Sequence, residues 1–435
     1  MRFQEKLDKL NKVMTKVQTN KYLQALSNGM MSLLPIMVIG SVAALLGKLN
    51  IGPYQNFIKS MGIANALNVC FTMTMSLMGL YVAFLIGSKL AELYEEDATL
   101  AGMISVMAFL IVTPISVFGK TKAIDITYLG SRGLFVGMIT ALIATRIYVF
   151  AIKKNLTIKM PATVPPVVSK TFAALIPAVI VAIVFMFINS LFGMTSYGNA
   201  HTALFAVLQK PLQSLGSNLG TVVLLVALME ILWFFGIHGS NVVNPILLTV
   251  FYSMDIANME AYQAGATMLP YIITVSFIQN QKGPRNLALA ILLSFKAKSE
   301  HLKTVGKLGI VPAFFGISEP LKFGLPMILN PVIGIPMILT PVASITLSYF
   351  ATVIGFLPRA NGVSVPAGTP ELLRPLFTSG IRGVIFALFL LVVCMVIYYP
   401  FVMAFDKQKL KEEEKLRIKE EKEFKAKELN IAIEE

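Results

Sequence analysis

The chain has 435 residues, of which 56% are hydrophobic and only 14% are charged. A soluble domain of ordinary composition carries roughly 25% charged residues, whereas here the apolar residues fall in runs of about 20, the length that spans a bilayer. The composition therefore excludes a soluble protein and predicts an all-α polytopic membrane protein. The net charge of +14 lies at the termini and in the loops between apolar runs. That distribution is typical of cytoplasmic loops and argues against a nucleic-acid partner.

The first part of the chain predicts a regular series of helices. Residues 1–22 are polar and amphipathic, and they predict a cytoplasmic surface helix. Five predicted spans follow, at residues 23–46, 67–86, 100–118, 129–152 and 172–192. The loop at residues 153–170 contains four lysines and no acid, so we expect it in the cytoplasm. Its prolines make it the boundary between an N-terminal five-helix membrane domain (23–160) and a C-terminal membrane domain (161–405).

The second part of the chain is less regular. A sixth span at residues 219–237 is followed by a segment at 244–252 that is too short for a comfortable crossing and predicts a broken or tilted helix. The further predicted elements are a crossing at 264–278, a basic cytoplasmic loop at 282–307, a re-entrant segment at 310–334, and final spans at 335–356 and 380–405. We therefore expect about ten transmembrane helices with both termini in the cytoplasm. Residues 406–435 predict a charge-balanced cytoplasmic helix.

Small residues recur every fourth position in the second predicted span, at Gly79, Ala83, Gly87 and Ala91. Such a stripe lets two helices approach closely in a membrane. Two interpretations stay open: a subunit interface and ordinary packing inside the helical bundle.

Two polar motifs interrupt the apolar sequence of the second half. The first is "WFFGIHGSNVVNP", which contains His238, and the second is "FGISEPLKFGLPMILNP", which contains Glu319. Glycines and prolines break the helical pattern in both. Broken backbone and ionisable side chains are tolerated at membrane depth only where they line a protein-enclosed cavity. The two motifs therefore predict a permeation or substrate site. The three histidines and two cysteines are too scattered to predict a metal site, and no cofactor is expected.

The motifs "FFGIHGSNVVNPI" and "GISEPLKFGLPMILNPVIGIP" resemble the signatures of the lactose/cellobiose/diacetylchitobiose-type IIC permeases of the bacterial phosphotransferase system. The resemblance covers essentially the whole chain. It implies a homodimer formed by the N-terminal membrane domain, a C-terminal substrate domain with re-entrant hairpins, and a location in the bacterial cytoplasmic membrane among its lipids. It also implies uptake of a disaccharide that is phosphorylated on its 6-hydroxyl by a phosphocysteine of a separate IIB protein, itself charged by IIA.

The resemblance implies roles for the residues of both motifs. Glu319 is the candidate base that accepts the proton of the sugar hydroxyl, and His238 the candidate that orients this hydroxyl or shares its proton. A structural histidine and an ion pair between Glu319 and Lys322 are the alternatives. The candidate sugar-binding residues are Asn241, Asn244, Ser318, Trp233 and Asn280. The alternatives are helix capping for the asparagines at 241 and 244, packing for the tryptophan, and an interface anchor for the asparagine at 280.

The chain departs from the family pattern at three places. Ser318 stands where the family usually has asparagine, Lys322 stands where an apolar residue is expected, and the segment after Val365-Pro366 lacks a tryptophan. Two other classes of function remain open. A proton-coupled secondary sugar transporter would use His238 and Glu319 as a proton relay, and a sensor or channel would bind sugar without phosphorylating it. No nucleotide-binding G-x-x-x-x-G-K-[ST] motif occurs in the sequence.

Overall fold

The structure is a computed structural model that describes residues 12, 15, 16, 19–48, 51–161, 163–216, 218–325, 327, 329–366 and 368–434. Most of the predicted amphipathic helix at 1–22 lies outside these residues. The architecture is helical throughout, apart from one short hairpin, which confirms the all-α polytopic prediction. By length and composition, seven helices of the described chain can cross a membrane, or eight if a bent pair counts as one span. The count of about ten stays a prediction.

The chain divides into two compact units. Unit 1 comprises Met1–Val222, Ser240–Phe277 and Arg359–Pro366, and unit 2 comprises Val223–Gly239, Ile278–Pro358 and Ala367–Glu435. The fifth apolar run, which forms part of a helical span over Pro166–Gly193, lies in unit 1, beyond the predicted boundary at residue 160. The assignment of dimerisation and of sugar binding to separate domains stays a prediction.

The helices that lie wholly in unit 1 are α1 (Lys21–Ser32), α2 (Leu34–Lys48), α3 (Gly52–Ser60), α4 (Ile63–Thr74), α5 (Met78–Leu93), α6 (Ala98–Ile111), α7 (Leu134–Lys153), α8 (Pro166–Ala173), α9 (Leu175–Gly193), α10 (Ala200–Leu204) and α11 (Lys210–Gly216). Helix α12 (Leu219–Phe234) is divided between the units, and α13 (Gly239–Gln263) lies in unit 1 apart from its first residue. The predicted span at 100–118 is shorter than expected. Helix α6 ends at Ile111, and an antiparallel hairpin of β1 (Ile115–Phe118) and β2 (Thr121–Ile124) follows, because Gly119 turns the chain with a φ of 62°.

The small-residue stripe lies on α5 and is buried inside unit 1. Ala83 and Ala91 have no exposed surface. A Cβ on Gly79 would lie 2.8 Å from the carbonyl oxygen of Leu129, and one on Gly87 would lie 2.7 Å from Ser105 Cβ of α6. The stripe thus lets α5 pack closely against its neighbours within unit 1. This supports the interpretation of the stripe as bundle packing rather than as a subunit interface.

The structure differs from the prediction after His238 at two places. Helix α13 continues from Gly239 to Gln263 as one helix of 25 residues, so the segment expected at 244–252 as a broken or tilted helix is longer than predicted and long enough to cross a membrane. No helix covers residues 264–274, so the predicted crossing at 264–278 is wrong; α14 (Val275–Gln281) follows. The residues of α13 beyond position 252 include the polar Asp255, Asn258 and Glu260.

Unit 1 supplies a partner for each of these three polar side chains. Asp255 accepts a hydrogen bond of 3.0 Å from Ser276 N, and Asn258 Nδ2 donates to the carbonyl of Tyr271 at 2.8 Å. Glu260 Oε2 accepts from Ser131 Oγ at 2.7 Å. Because paired polar groups lose little on burial, the helix continues through residues that a hydropathy pattern places in a loop.

Unit 2 contains most of α12 (Leu219–Phe234), then α15 (Arg285–Lys296), α16 (Glu300–Phe314), α17 (Glu319–Gly324), α18 (Pro331–Val353) and α19 (Arg374–Glu434). The predicted irregular segment at 310–334 appears as the end of α16, the short α17 and the start of α18. Pro326 lies outside the described residues. Helix α19 has non-helical backbone at Gly380, with a φ of 69°, and continues into the charged tail. Its Asp406 accepts hydrogen bonds from the amides of Lys298 and Ser299, which anchor the start of α16.

Candidate functional site

Both polar motifs begin with the same helix-ending turn. The pentapeptide Phe-Phe-Gly-Ile-His closes α12 at residues 234–238, and Phe-Phe-Gly-Ile-Ser closes α16 at 314–318. Gly236 and Gly316 have φ angles of 79° and 82°, the left-handed conformation that glycine adopts without strain. In each turn the isoleucine amide donates to the carbonyl five residues earlier at 2.9 Å, as in a Schellman motif. This repeat is visible in the sequence, but sequence analysis did not identify it.

The two motifs are in contact within unit 2. Leu329 N, in the second motif, donates a 2.9 Å hydrogen bond to the carbonyl of Phe234 in the first. The Lys322 ammonium lies 3.7 Å from the centroid of the Trp233 ring. The Trp233 and His238 rings are also in contact, with centroids 4.3 Å apart and planes inclined by 51°. The structure therefore brings the predicted residues Trp233 and His238 together with Lys322, which sequence analysis treated as a departure.

A small pocket opens beside this aromatic ring and is lined by Trp233, Lys322, Phe323, Met327 and Met337. Trp233 is 9% exposed, and its Nε1 is buried without a hydrogen-bond partner among the described residues. A buried indole N–H normally finds an acceptor. The indole therefore retains an unused donor, which the oxygen of a ligand could satisfy.

Glu319 and Ser318 lie at the start of α17. Glu319 is exposed, and its Oε2 accepts a 2.9 Å hydrogen bond from Ser318 N. The ion pairs of the described residues do not include one between Glu319 and Lys322, because the lysine extends over Trp233 instead. The alternative that used the lysine as the partner of this carboxylate is therefore wrong. Glu319 presents a charged, exposed carboxylate on a short helix that also carries Lys322.

A buried ion pair lies one helical turn before Trp233. Glu230 is fully buried on α12, and its Oε1 accepts a 2.5 Å hydrogen bond from Arg285 Nη2 at the start of α15. The sequence could not identify this partner, since the two residues are 55 positions apart. Each keeps one unpaired atom in the described chain, Glu230 Oε2 and Arg285 Nη1. The ion pair therefore offers further donors and acceptors beside the aromatic group.

Three further predicted site residues lie elsewhere on the described chain. Asn280 Nδ2 donates to Thr378 Oγ1 at 3.3 Å within unit 2, and both interpretations of this residue stay open. Asn241 is exposed and Asn244 half-buried in the first two turns of α13, in unit 1. Their role in sugar binding stays a prediction.

The comparisons with known proteins agree with one another. The family model "Phosphotransferase system, EIIC" matches residues 27–341. The oligo-beta-mannoside-specific EIIC component of Bacillus subtilis is 35% identical over 93% of this chain and 94% of its own length. The cellobiose-specific EIIC component of Geobacillus stearothermophilus is 35% identical over 94% of this chain and 95% of its own length.

A solved structure is also similar: that of the transporter ChbC, the IIC component of an N,N'-diacetylchitobiose-specific phosphotransferase system. It superposes with a TM-score of 0.87 at 36% identity, covering 93% of this chain and 98% of that one. Sequence and structure together show that the chain belongs to the phosphotransferase system EIIC family, as a multi-pass membrane sugar permease of the cellobiose/lactose type.

Proposed function

We propose that this protein imports a disaccharide of the cellobiose, diacetylchitobiose or lactose class and presents its 6-hydroxyl for phosphorylation. The donor is the phosphocysteine of a separate IIB protein, which IIA charges. The observation that carries the proposal is the contact of Trp233 with both His238 and Lys322, beside the helix that starts at Glu319. Relatives named for cellobiose, lactose and oligo-beta-mannosides support a β-linked disaccharide.

The side chains can divide the chemistry between them. Trp233 offers an apolar ring face to a pyranose and an N–H donor to a sugar oxygen. Glu319 accepts the proton of the 6-hydroxyl as its oxygen bonds to phosphorus, and His238 hydrogen-bonds the same hydroxyl and orients it. Asn241, Asn244 and Ser318 are proposed to bind further hydroxyls. Asn280 is a weaker candidate, because it already bonds Thr378.

The assembly and location are proposals of the same kind. The protein acts as a homodimer in the bacterial cytoplasmic membrane, surrounded by lipid, with both termini in the cytoplasm. The lysine-rich loop at residues 153–170 supports this orientation.

The test is uptake of labelled cellobiose, diacetylchitobiose and lactose into vesicles, with and without phosphoenolpyruvate and the relay proteins. The proposal expects 6-phosphosugar inside only when the relay is complete. Free sugar that accumulates without the relay would instead show a proton-coupled transporter, and sugar binding without any transport would show a sensor.

A pair of variants tests the base. Glu319→Gln removes the proton acceptor but keeps the shape, so we expect sugar binding within about threefold of wild type and phosphorylation reduced at least ~100-fold. Glu300→Gln is the matched control, since Glu300 is also an exposed carboxylate at the first position of a helix. His238→Ala should weaken both binding and phosphorylation. Normal phosphorylation by Glu319→Gln would remove the glutamate from the mechanism.

A further inference from the structure

Lys322 is held beside the proposed reaction centre and forms no direct ion pair among the described residues. It lies three residues after Glu319 on α17, and its ammonium is 3.7 Å from the Trp233 ring. The ion pairs formed by the described residues do not involve Lys322. A cation–π contact stabilises an ammonium less than a charge-assisted hydrogen bond to an anion does. The lysine therefore keeps unused capacity for a negatively charged group.

The surroundings of Lys322 carry a surplus of positive charge. Its ammonium interacts electrostatically with Glu230, Arg285, Lys282 and Glu319. Burial lowers the pKa of Lys322 to about 8, which leaves it protonated at pH 7. The same holds for Lys282, whose pKa burial also lowers to about 8. Both lysines therefore act as cations at neutral pH.

The charges of the cluster can be counted at the moment of reaction. The cations are Lys282, Arg285, Lys322 and Arg374, and the acidic side chains are Glu230, Glu319 and Glu371, of which Glu371 has a pKa that burial raises to about 7. When Glu319 takes the sugar proton, at most two carboxylates remain against four cations. The surplus of at least two positive charges suits the charge of about −2 on a phosphoryl group.

Unpaired buried donors point to an acceptor-rich ligand at the same place. Arg285 and Trp233 are each 9% exposed, and Arg285 Nη1 and Trp233 Nε1 have no hydrogen-bond partner among the described residues. Leaving a buried donor unsatisfied forfeits its hydrogen bonds to water without replacement. Two acceptors, Glu230 Oε2 and Glu371 Oε2, also lack partners among the described residues. Burial raises the pKa of Glu371 to about 7, although Arg285, Arg374 and Lys282 lower it. The two N–H donors are groups that an acceptor-rich ligand would satisfy.

We infer that Lys322, supported by Arg285 and Lys282, binds the phosphoryl group during its transfer and in the 6-phosphosugar product. The inference rests on the proposed function. The sulfur–phosphorus bond of the donor breaks and leaves a thiolate on IIB, while the sugar O6 bonds to phosphorus and its proton passes to Glu319. Lys322 forms no covalent bond; it stabilises the negative charge of the three phosphoryl oxygens.

The chain provides its own reporter for this site. Trp233 is the single tryptophan, and Lys322 lies on its ring. Intrinsic fluorescence of the purified, full-length protein can therefore be titrated with 6-phosphocellobiose, cellobiose and inorganic phosphate. We expect wild type to bind 6-phosphocellobiose more tightly than cellobiose. Lys322→Met should lose roughly tenfold in affinity for the phosphosugar, the effect of one charge-assisted hydrogen bond, and retain cellobiose binding. Lys322→Arg should keep most of the phosphosugar affinity.

Lys303→Met is the matched control, because it removes a lysine of α16 that is only paired with Glu300 at the surface. It should leave all three titrations unchanged. If Lys322→Met weakens cellobiose and 6-phosphocellobiose equally, or neither, the lysine only packs on Trp233 and the inference is wrong. The phosphate titration tests the anion site separately from the proposed transport function. A fluorescence response to phosphate that depends on Lys322 supports the anion site even if no disaccharide is transported, whereas its absence in a transporting protein refutes the anion site alone.

Discussion

Loss of one partner of the buried Glu230–Arg285 ion pair should destabilise unit 2 strongly. The Glu230 side chain is 1% exposed and that of Arg285 is 11% exposed, with 2.5 Å between Oε1 and Nη2. Glu230→Gln leaves the guanidinium buried without its counter-charge. Breaking a pair of this kind costs about 3–5 kcal/mol, because the remaining charge is desolvated without compensation.

The assay is thermal unfolding of the purified protein in detergent. At roughly 2–4 °C per kcal/mol for a unit of about 150–250 residues, a loss of about 3 kcal/mol lowers Tm by roughly 6–12 °C. Glu92→Gln is the control, since its pair with Lys89 is similarly direct, at 2.8 Å, but lies at the surface, with side chains 49% and 31% exposed. The Glu92→Gln change should lower the free energy of unfolding by less than about 1 kcal/mol.

The double variant Glu230→Gln/Arg285→Gln completes a mutant cycle. Removing both charges should cost clearly less than the sum of the two single changes, since no buried charge is left unpaired. Single losses below about 0.5 kcal/mol, or strict additivity in the double variant, would refute the reasoning that the two charges stabilise each other in this unit.

Two further predictions concern packing and helix anchoring. Gly87→Ala places a Cβ against the Ser105 side chain, so we expect the free energy of unfolding to fall by about 1–3 kcal/mol. The control is Gly47→Ala on α2, where the new Cβ would have one neighbouring atom, at 3.9 Å; this change should be neutral or stabilising. Asp406→Ala removes the acceptor of two backbone amides and should lower the free energy of unfolding by about 2 kcal/mol. Its control is the surface change Glu412→Ala, which should leave the stability nearly unchanged. An equal effect within either pair would contradict the burial argument.

Sequence reasoning succeeded where the signal is local. The apolar runs identified the class of protein, and the two polar motifs identified the family. The repeated Phe-Phe-Gly-Ile turn was equally local and could have been found by comparing the two motifs with each other. Polar residues in α13 misled the hydropathy pattern, because a pattern cannot show that Asp255 has a partner 21 residues away.

The sequence by itself determined what depends on composition and on neighbouring residues. These are a helical membrane protein, glycine-terminated helices before each motif, and a family recognised from two short segments. Only the tertiary structure decided which distant charges and rings meet. It paired Glu230 with Arg285 and placed Lys322 on Trp233, 89 positions apart in the chain. The physical reason is that a buried charge needs a partner, but several partners of the same chemistry exist along the chain. The packing of the helices selects one of them.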